Sequence, residues 1–365
     1  MQAKVFEGLK VIELASVLAG PSVGMFFAEL GAQVIKVENP KTQGDVTRNW
    51  RLPSEKKSNA FSAYYACVNY GKSILFLDLT QKEDMLQLSR LLKNADVLLT
   101  NYKASSAAKL GLSPAKIQEN YPKLIQANLT GFGPESQRLA FDAVLQAESG
   151  FMYMNGESPG RFCKMPVALI DVLAGHQLKE AVLIALMQRM KNGKGAQIEV
   201  NLMESALSAL ANQANNWLMN GHLPQAVGSL HPNIAPYGEI FYCKDDKPII
   251  IAAGTQKHFE NLCKALKLES LIQDERYNQN SHRVQHRTEL AEKLAMAFKK
   301  QNRAEFLAQF EQKGVPAGAV QNMEEVMNTP QGQKMQIHYQ LDGEQLTAMR
   351  QVAFTFQETK KHPKK

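Results

Sequence analysis

Cysteine is scarce, with 4 in 365 residues: Cys67, Cys163, Cys243 and Cys263. They are widely spaced and form no C-x-x-C pair, which excludes the usual zinc and disulfide frameworks. They read as reduced thiols, most of them buried filler, in a cytoplasmic protein. Long apolar runs are also absent. No segment reaches the ~18 apolar residues of a membrane helix, and the opening MQAKVFEGLKVIEL has no charged start feeding an apolar stretch. Neither secretion nor membrane insertion is therefore expected. Charge of one sign is not concentrated: 42 Lys plus Arg against 35 Asp plus Glu leaves +7, with basic and acidic residues interspersed. Zinc-finger spacing, an aromatic RNA-binding signature and a heptad-linked basic region are missing, so the pattern predicts no nucleic-acid partner and a mildly anionic ligand instead. The one basic cluster, Lys360, Lys361, Lys364 and Lys365, reads as a solvated tail. A phosphate-binding G-x-x-x-x-G-K-[ST] loop and a G-x-S-x-G elbow are lacking too, which removes nucleotide hydrolysis and serine esterase chemistry.

What is present is an ordinary globular composition, 44% hydrophobic, in a chain long enough for two or three domains. A strand-like run Lys10 to Leu14 leads into the small-residue turn Ala19-Gly20-Pro21-Ser22, a helix-like VGMFFAEL, then Gly31 and a second run Val34 to Val37. This predicts a βαβ unit with Ser22 as N-cap and Gly31 ending the helix. Alternation continues through SILFLDL, EDMLQLSRLLKNA, VLLT from Val97 and LIQANLT. A long buried helix follows over Asp171 to Met190, closed by Asn192-Gly193-Lys194-Gly195, then the strand IEVNLM and the helix ESALSALANQANNWLMN. After Gly221 prolines and glycines break the texture. The pattern predicts an α/β protein: a large Rossmann-like domain with a parallel sheet over residues 1–221, a smaller α/β domain over 222–318, and a segment 319–365, including EEVMNT, that returns to the first.

The first βαβ unit invites a dinucleotide reading, because Glu38 ends its second strand where such folds keep a ribose-binding acid. The turn Ala19-Gly20-Pro21-Ser22-Val23-Gly24 is not G-x-G-x-x-G, and Pro21 removes an N–H that a pyrophosphate would use. His176 lies five residues after Asp171, too far round a helix for a metal pair, and no metal site is predicted. Asp171 stands where the apolar run Val167 to Ile170 gives way to a helix. Locally it is either an N-cap or a carboxylate nucleophile kept ionised by helix-end N–H groups.

Ordered stretches along nearly the whole chain resemble one family. They are GLKVIELASVLAGPSVGMFFAELGAQVIKVENP, NYGKSILFLDL, ADVLLTNYKASSAAKLGL, LTGFGPES, FDAVLQAESGFMYMNGE, PVALIDVLAGHQLKEAVLIALMQRMKNGKGAQIEVNLMESAL, HPNIAPYGEIF and GVPAGAV. The sequence is similar to class III CoA-transferases (CaiB/BaiF type), a group that includes carnitine CoA-transferase-like, formyl-CoA transferase and α-methylacyl-CoA racemase branches.

The resemblance implies that Asp171 attacks an acyl-CoA thioester to give a mixed anhydride, then an aspartyl-CoA thioester from which CoA passes to a second carboxylic acid. No metal or redox cofactor is implied; the CoA thioester is a substrate. By the same resemblance the CoA site comprises Val17, Leu18, Ala19, Asn39, Leu77, Asp78, Asn101, Tyr102, Lys103, Lys109, Arg138, Phe141 and Asp142, with Lys103 and Lys109 as phosphate partners. The acids are selected around Leu18, Trp50, Tyr153 and the loop near Gly228 to Tyr237. The family's dimer, two interlocked chains, is implied likewise. This sequence departs from the family at Asn39, where arginine is frequent, at Ala104-Ser105 in place of Pro-Gly, and at Leu18, where formyl-CoA transferases carry glutamine. The glycine-rich run of those enzymes and the Pro-rich closing segment are also missing. In the racemase branch a histidine precedes the aspartate at the position of Asp142, and here that residue is Phe141, which cannot carry a proton. An acyl-CoA racemase or epimerase and a non-catalytic acyl-CoA-binding relative are the alternatives.

Overall fold

The computed structural model describes residues 4–56 and 59–355; the terminal lysine cluster lies outside them. The chain divides into two compact units. The first takes in the residues up to Phe151, Lys164–His222 and those from Gln333 onward, and the second takes in Met152–Cys163 and Leu223–Gly332.

Six parallel strands form the sheet of the first unit: β1 (Lys10–Glu13), β2 (Gln33–Glu38), β3 (Lys72–Phe76), β4 (Val97–Thr100), β5 (Ile125–Thr130) and β6 (Ala196–Asn201). Their order is β3-β2-β1-β4-β5-β6, so the winding reverses between β1 and β4. Alternate side chains serve opposite faces. Val11, Val97 and Leu99 join one core with the helices Ala19–Glu29 and Leu169–Asn192, while Ile12 and Leu98 join another with Leu88 and Leu92 of the helix Lys82–Lys93. Burial on both faces explains why β4 is the unbroken apolar run VLLT.

The second unit carries an antiparallel sheet of β7 (Tyr237–Tyr242), β8 (Pro248–Ala252) and β9 (Ala317–Ala319). Its core is aromatic, with Phe241 stacked on Phe298 at 4.6 Å and Phe306 and Phe310 beside them. EEVMNT does not return to the first unit. It belongs to the helix Met323–Met327, opened by an Asn322–Glu325 capping box, within the second unit, which runs to Gly332 rather than Gly318. The chain then adds to the first unit a hairpin the periodicity did not reveal, β10 (Gln336–Leu341) and β11 (Glu344–Met349). Its turn is Asp342-Gly343, both at positive φ, and Ile337 and Tyr339 pack on Met25, Phe61 and Tyr65.

Ser22 is not an N-cap. The opening helix begins at Ala19 with Leu18 as its cap, and the Ser22 hydroxyl donates back to the Ala19 carbonyl at 2.7 Å. Pro21 is tolerated because a first helical turn has no use for its N–H. Gly31 ends this helix at φ 96 as predicted. The predicted helix ESALSALANQANNWLMN is two, Leu202–Ser208 and Ala211–Asn220. Cys243 and Cys263 are buried, Cys67 is half-buried and Cys163 is exposed. Among the described residues no helix is long and apolar enough to cross a membrane.

Gly175 sets the approach of the opening helix to the long one: a Cβ there would lie 2.6 Å from Ser22 Oγ and 3.2 Å from the Ala19 carbonyl oxygen. Gly175→Val should therefore push the helices apart and cost about 1–3 kcal/mol, read as a lower denaturant midpoint. An unchanged midpoint would show that this contact does not limit packing.

Candidate active site

Ligands of open α/β sheets settle beyond the strand carboxyl ends, where the strand order reverses. The first unit has a cavity of about 200 Å³ there, lined by Ser16–Ala19 after β1, Asn101–Ala104 after β4, and residues after β5 that include Gly131, Arg138, Phe141 and Asp142. Asp171 lines it too. Five helices begin at this cavity, Ala19–Glu29, Ala104–Lys109, Asp142–Glu148, Leu169–Asn192 and Leu202–Ser208. Their aligned peptide dipoles make its wall favourable to negative charge.

Asp171 sits in the first turn of the long helix, whose N-cap is Ala168, a residue with no capping side chain. The capping duty falls to a residue distant in sequence. Asp142 accepts from the Ile170 N–H at 2.8 Å and from Gln146 Nε2 at 2.6 Å, and Gln146 in turn accepts from the Met165 N–H. Asp171 is thereby released from the structural role that local sequence allowed it, and no hydrogen bond reaches its carboxylate among the described residues. The prediction that helix-end N–H groups keep it ionised needs correction. Burial and then the neighbouring Asp142 charge push the Asp171 carboxyl up to about 7.

The loop before the opening helix is held from two sides. The Asn101 side chain accepts from the Ser16 N–H at 3.2 Å and donates to the Ser16 carbonyl at 3.0 Å. Val17 has φ 74, a left-handed conformation that costs a β-branched residue about 1–3 kcal/mol. Its N–H donates to Asp45 Oδ2 at 3.2 Å. Asp45 is buried against Lys36, at 3.0 Å, and accepts from the Thr47 backbone and hydroxyl. Lys36 also reaches Glu13 at 3.1 Å and the Ala15 carbonyl at 2.8 Å, and Glu13 pairs with a second buried cation, Lys72, at 2.9 Å. Glu38 is occupied as well, by Arg48 at 2.6 Å, Tyr65 at 2.7 Å and the Asp45 N–H.

Of the predicted CoA contacts, Val17, Leu18, Ala19, Asn101, Tyr102, Lys103, Arg138, Phe141 and Asp142 meet in the cavity that Asp171 lines. Lys103 Nζ donates to the Gln137 carbonyl at 2.7 Å, and Arg138 pairs with Glu148 and lies over the Phe132 ring. Four others do not line it. The Leu77 side chain belongs to the core, Asp78 is tied to Lys41 at 2.7 Å and to Thr80, Lys109 is exposed on its helix, and Asn39 caps a short helical turn by accepting from the Lys41 N–H. His176 is exposed. Sequence reasoning missed Tyr64, whose phenol is pushed up to about 12 by burial and then by the charge of Asp171, and which packs edge-on against Trp50 at 5.1 Å. It sits on a four-residue helix started by Ser62, too short to leave a periodic signal. Tyr153 and the loop from Gly228 to Tyr237 lie in the second unit.

Residues 6–365 match the family described as CoA-transferase family III. The chain belongs to that family. It is 37% identical over 348 residues to a succinate–glutarate CoA-transferase of Agrobacterium fabrum, covering 94% of this chain and 86% of that protein. It is 35% identical over 331 residues to the human succinyl-CoA:glutarate CoA-transferase, covering 90% and 74%. A CaiB/BaiF family protein from Brucella suis has the same fold, with TM-score 0.84, 35% identity, and coverage of 98% of this chain and 93% of that one. The chain is thus a family III CoA-transferase, with Asp171 in a cavity where five helices begin.

The raised carboxyl of Asp171 has a measurable consequence. Between its unfolded value of 3.8 and about 7, the folded state binds more protons than the unfolded one, so this group makes stability fall as pH rises through that window. Asp171→Asn should remove the penalty. The variant should melt no higher than the parent near pH 4 and gain on the order of 2 kcal/mol by pH 8, after allowance for partial exposure. A melting difference that does not grow with pH would contradict the burial argument.

Proposed function

We propose that the enzyme moves CoA from an acyl-CoA thioester to a carboxylic acid through covalent intermediates on Asp171. The Asp171 carboxylate attacks the thioester carbonyl, forming an aspartyl–acyl anhydride and releasing CoA thiolate. The thiolate attacks the Asp171 carbonyl of that anhydride, leaving an aspartyl-CoA thioester and the free donor acid. The acceptor carboxylate repeats both steps in reverse, and thiolate attack on its carbonyl gives the new acyl-CoA and regenerates Asp171. Each step exchanges one acyl bond for another, so the balance needs neither metal nor redox cofactor.

The observation that carries this reading is the position of Asp171. Its carboxylate is in the cavity at the sheet's switch point and relieved of capping by Asp142. N–H groups at the helix starts suit the oxyanion of each tetrahedral intermediate. Asn101, Tyr102, Lys103 and Arg138 are the CoA contacts we favour, with Lys103 and Arg138 as the phosphate cations. The names of the relatives support succinyl-CoA and glutarate as the first donor and acceptor to try. A cytoplasmic homodimer completes the proposal. In its favour, the long helix leaves Ile184, Met187 and Met190 57%, 61% and 87% exposed, and the helix Ala211–Asn220 leaves Trp217, Leu218 and Met219 exposed, large apolar side chains that a second copy would cover.

Mass spectrometry of enzyme incubated with succinyl-CoA or other acyl-CoA thioesters and hydroxylamine should find an aspartyl hydroxamate at Asp171. Asp171→Asn should lack it and lose about 10³-fold or more in turnover while still binding CoA. An unmodified Asp171 with thioesters that demonstrably bind would overturn the nucleophile.

The raised carboxyl also predicts an acid limb in kcat/KM near pH 7, since the ionised form attacks. Asp142→Asn still offers Ile170 an oxygen acceptor but removes the adjacent charge, so it should move that limb to lower pH. A limb that stays in place would mean another group governs it.

A further inference from the structure

Val17 places a β-branched side chain at φ 74 within the loop that lines the cavity. Such a conformation persists only where the surroundings hold it. The holding groups form a buried ionic set: Asp45 accepts from the Val17 N–H at 3.2 Å, and Lys36 grips both Asp45, at 3.0 Å, and the Ala15 carbonyl, at 2.8 Å. Lys36 thus touches the loop directly at Ala15 and indirectly at Val17. The side chains of Lys36 and Asp45 are each 1% exposed, and none of Glu13, Lys36, Asp45 and Lys72 lines the cavity. Buried ion pairs are poor sources of net stability against apolar side chains of similar volume, so this set has a better account as a device that fixes one loop conformation. Opposed charges keep both groups ionised: Lys36 is held above its usual range by Glu13 and Asp45 against the effect of burial, and Asp45 is held below its own chiefly by Lys36.

We propose that Asp45, anchored by Lys36, is a positioning residue for CoA transfer, holding Val17 in its left-handed conformation so that the loop Ser16–Ala19 keeps its shape in the cavity that Asp171 lines. The proposal draws on the Asp171 reading only for its effect on turnover.

The test uses the full-length enzyme with succinyl-CoA as donor and glutarate as acceptor, together with amide hydrogen exchange on the resting protein. In Asp45→Asn the Val17 amide should exchange about 10²-fold faster, while the amides of β4 keep their protection. Turnover should fall by roughly 10- to 100-fold, with KM for succinyl-CoA changing far less. Adding Val17→Gly, which accepts positive φ without a side-chain penalty, should restore about tenfold of that turnover, a rescue that a merely stabilising Asp45 would not show. Asp45→Glu keeps the charge beside Lys36, guards against a variant that does not fold, and should show the same local loosening more weakly. Unchanged exchange at Val17, protection lost across the whole sheet, or turnover that Val17→Gly does not raise would overturn the proposal. Because the exchange measurement needs no turnover, a failed Asp171 mechanism would leave the Val17 result standing and the two failures distinguishable.

Discussion

A lysine ammonium with almost no access to water is the constraint on which the rest of this active-site architecture depends. Lys36 projects from β2 and binds Glu13 at the end of β1, Asp45 beyond β2, and the Ala15 carbonyl. An unpaired ammonium in that position would be prohibitive, so once Lys36 is buried its oxygens must be assembled around it. That requirement ties the end of β1, the end of β2 and the loop between β1 and its helix into one unit. Glu13 then recruits Lys72 from β3, and Lys72 in turn holds the Pro21 carbonyl inside the opening helix at 2.9 Å. Three strands and one helix terminus are coupled through two cations and two carboxylates whose charges sum to zero.

Charge of the other kind governs the far wall. Asp142 and Asp171 share the cavity lining, but their surroundings separate them. Asp142 is committed to the Ile170 N–H and Gln146, whereas Asp171 has burial and the Asp142 charge acting on it. Two carboxylates in one cavity thus acquire different roles from their hydrogen bonds. Asp142 builds the start of the long helix, and Asp171 is left with a carboxyl raised above its ordinary value.

How much of this was legible in the sequence follows from which interactions are local. The alternation of apolar runs and helical periodicities gave the α/β class and the strands around Val97 and Ile125, because burial imprints a period on sequence. The start of the opening helix lies four residues before the expected one, with Leu18 and not Ser22 as its cap. Ser22 resembles an N-cap, yet the helix begins at Ala19 and the Ser22 hydroxyl donates back to the Ala19 carbonyl. Asp171 stood out as the start of a helix, but only the structure shows that Asp142, 29 positions earlier, relieves it of capping. The hairpin Gln336–Met349 carries its signal in the two residues Asp342-Gly343, which are easily passed over between short strands. Lys36 and Asp45 left no signal, since an alternating strand reads the same whether a lysine faces water or a buried carboxylate. Four of the expected CoA contacts lie outside the cavity lining. Resemblance carries over a position and says nothing of its surroundings, which here are the core for Leu77, Lys41 for Asp78, a helical-turn cap for Asn39 and an exposed helix face for Lys109.

For the proposed exchange, an aspartate half-protonated near neutrality looks wasteful, and magnitudes decide whether it is. A carboxyl near 7 leaves about half of the molecules ionised at pH 7, which costs about a factor of two in rate, or roughly 0.4 kcal/mol. Against that small loss stand two gains. Nucleophilicity rises with basicity, and a partly desolvated carboxylate has less hydration to shed as it approaches the thioester. Ordinary aspartate would be almost wholly ionised but well hydrated, and its lower basicity would weaken every acyl bond-forming step in the cycle. The same burial that raises the Asp171 carboxyl would penalise the fold above pH 7, so the site requires stability from elsewhere. A loop clamped by Asn101 and by Asp45 on Lys36, beside two helices in contact at Gly175, supplies a frame that does not yield to that penalty.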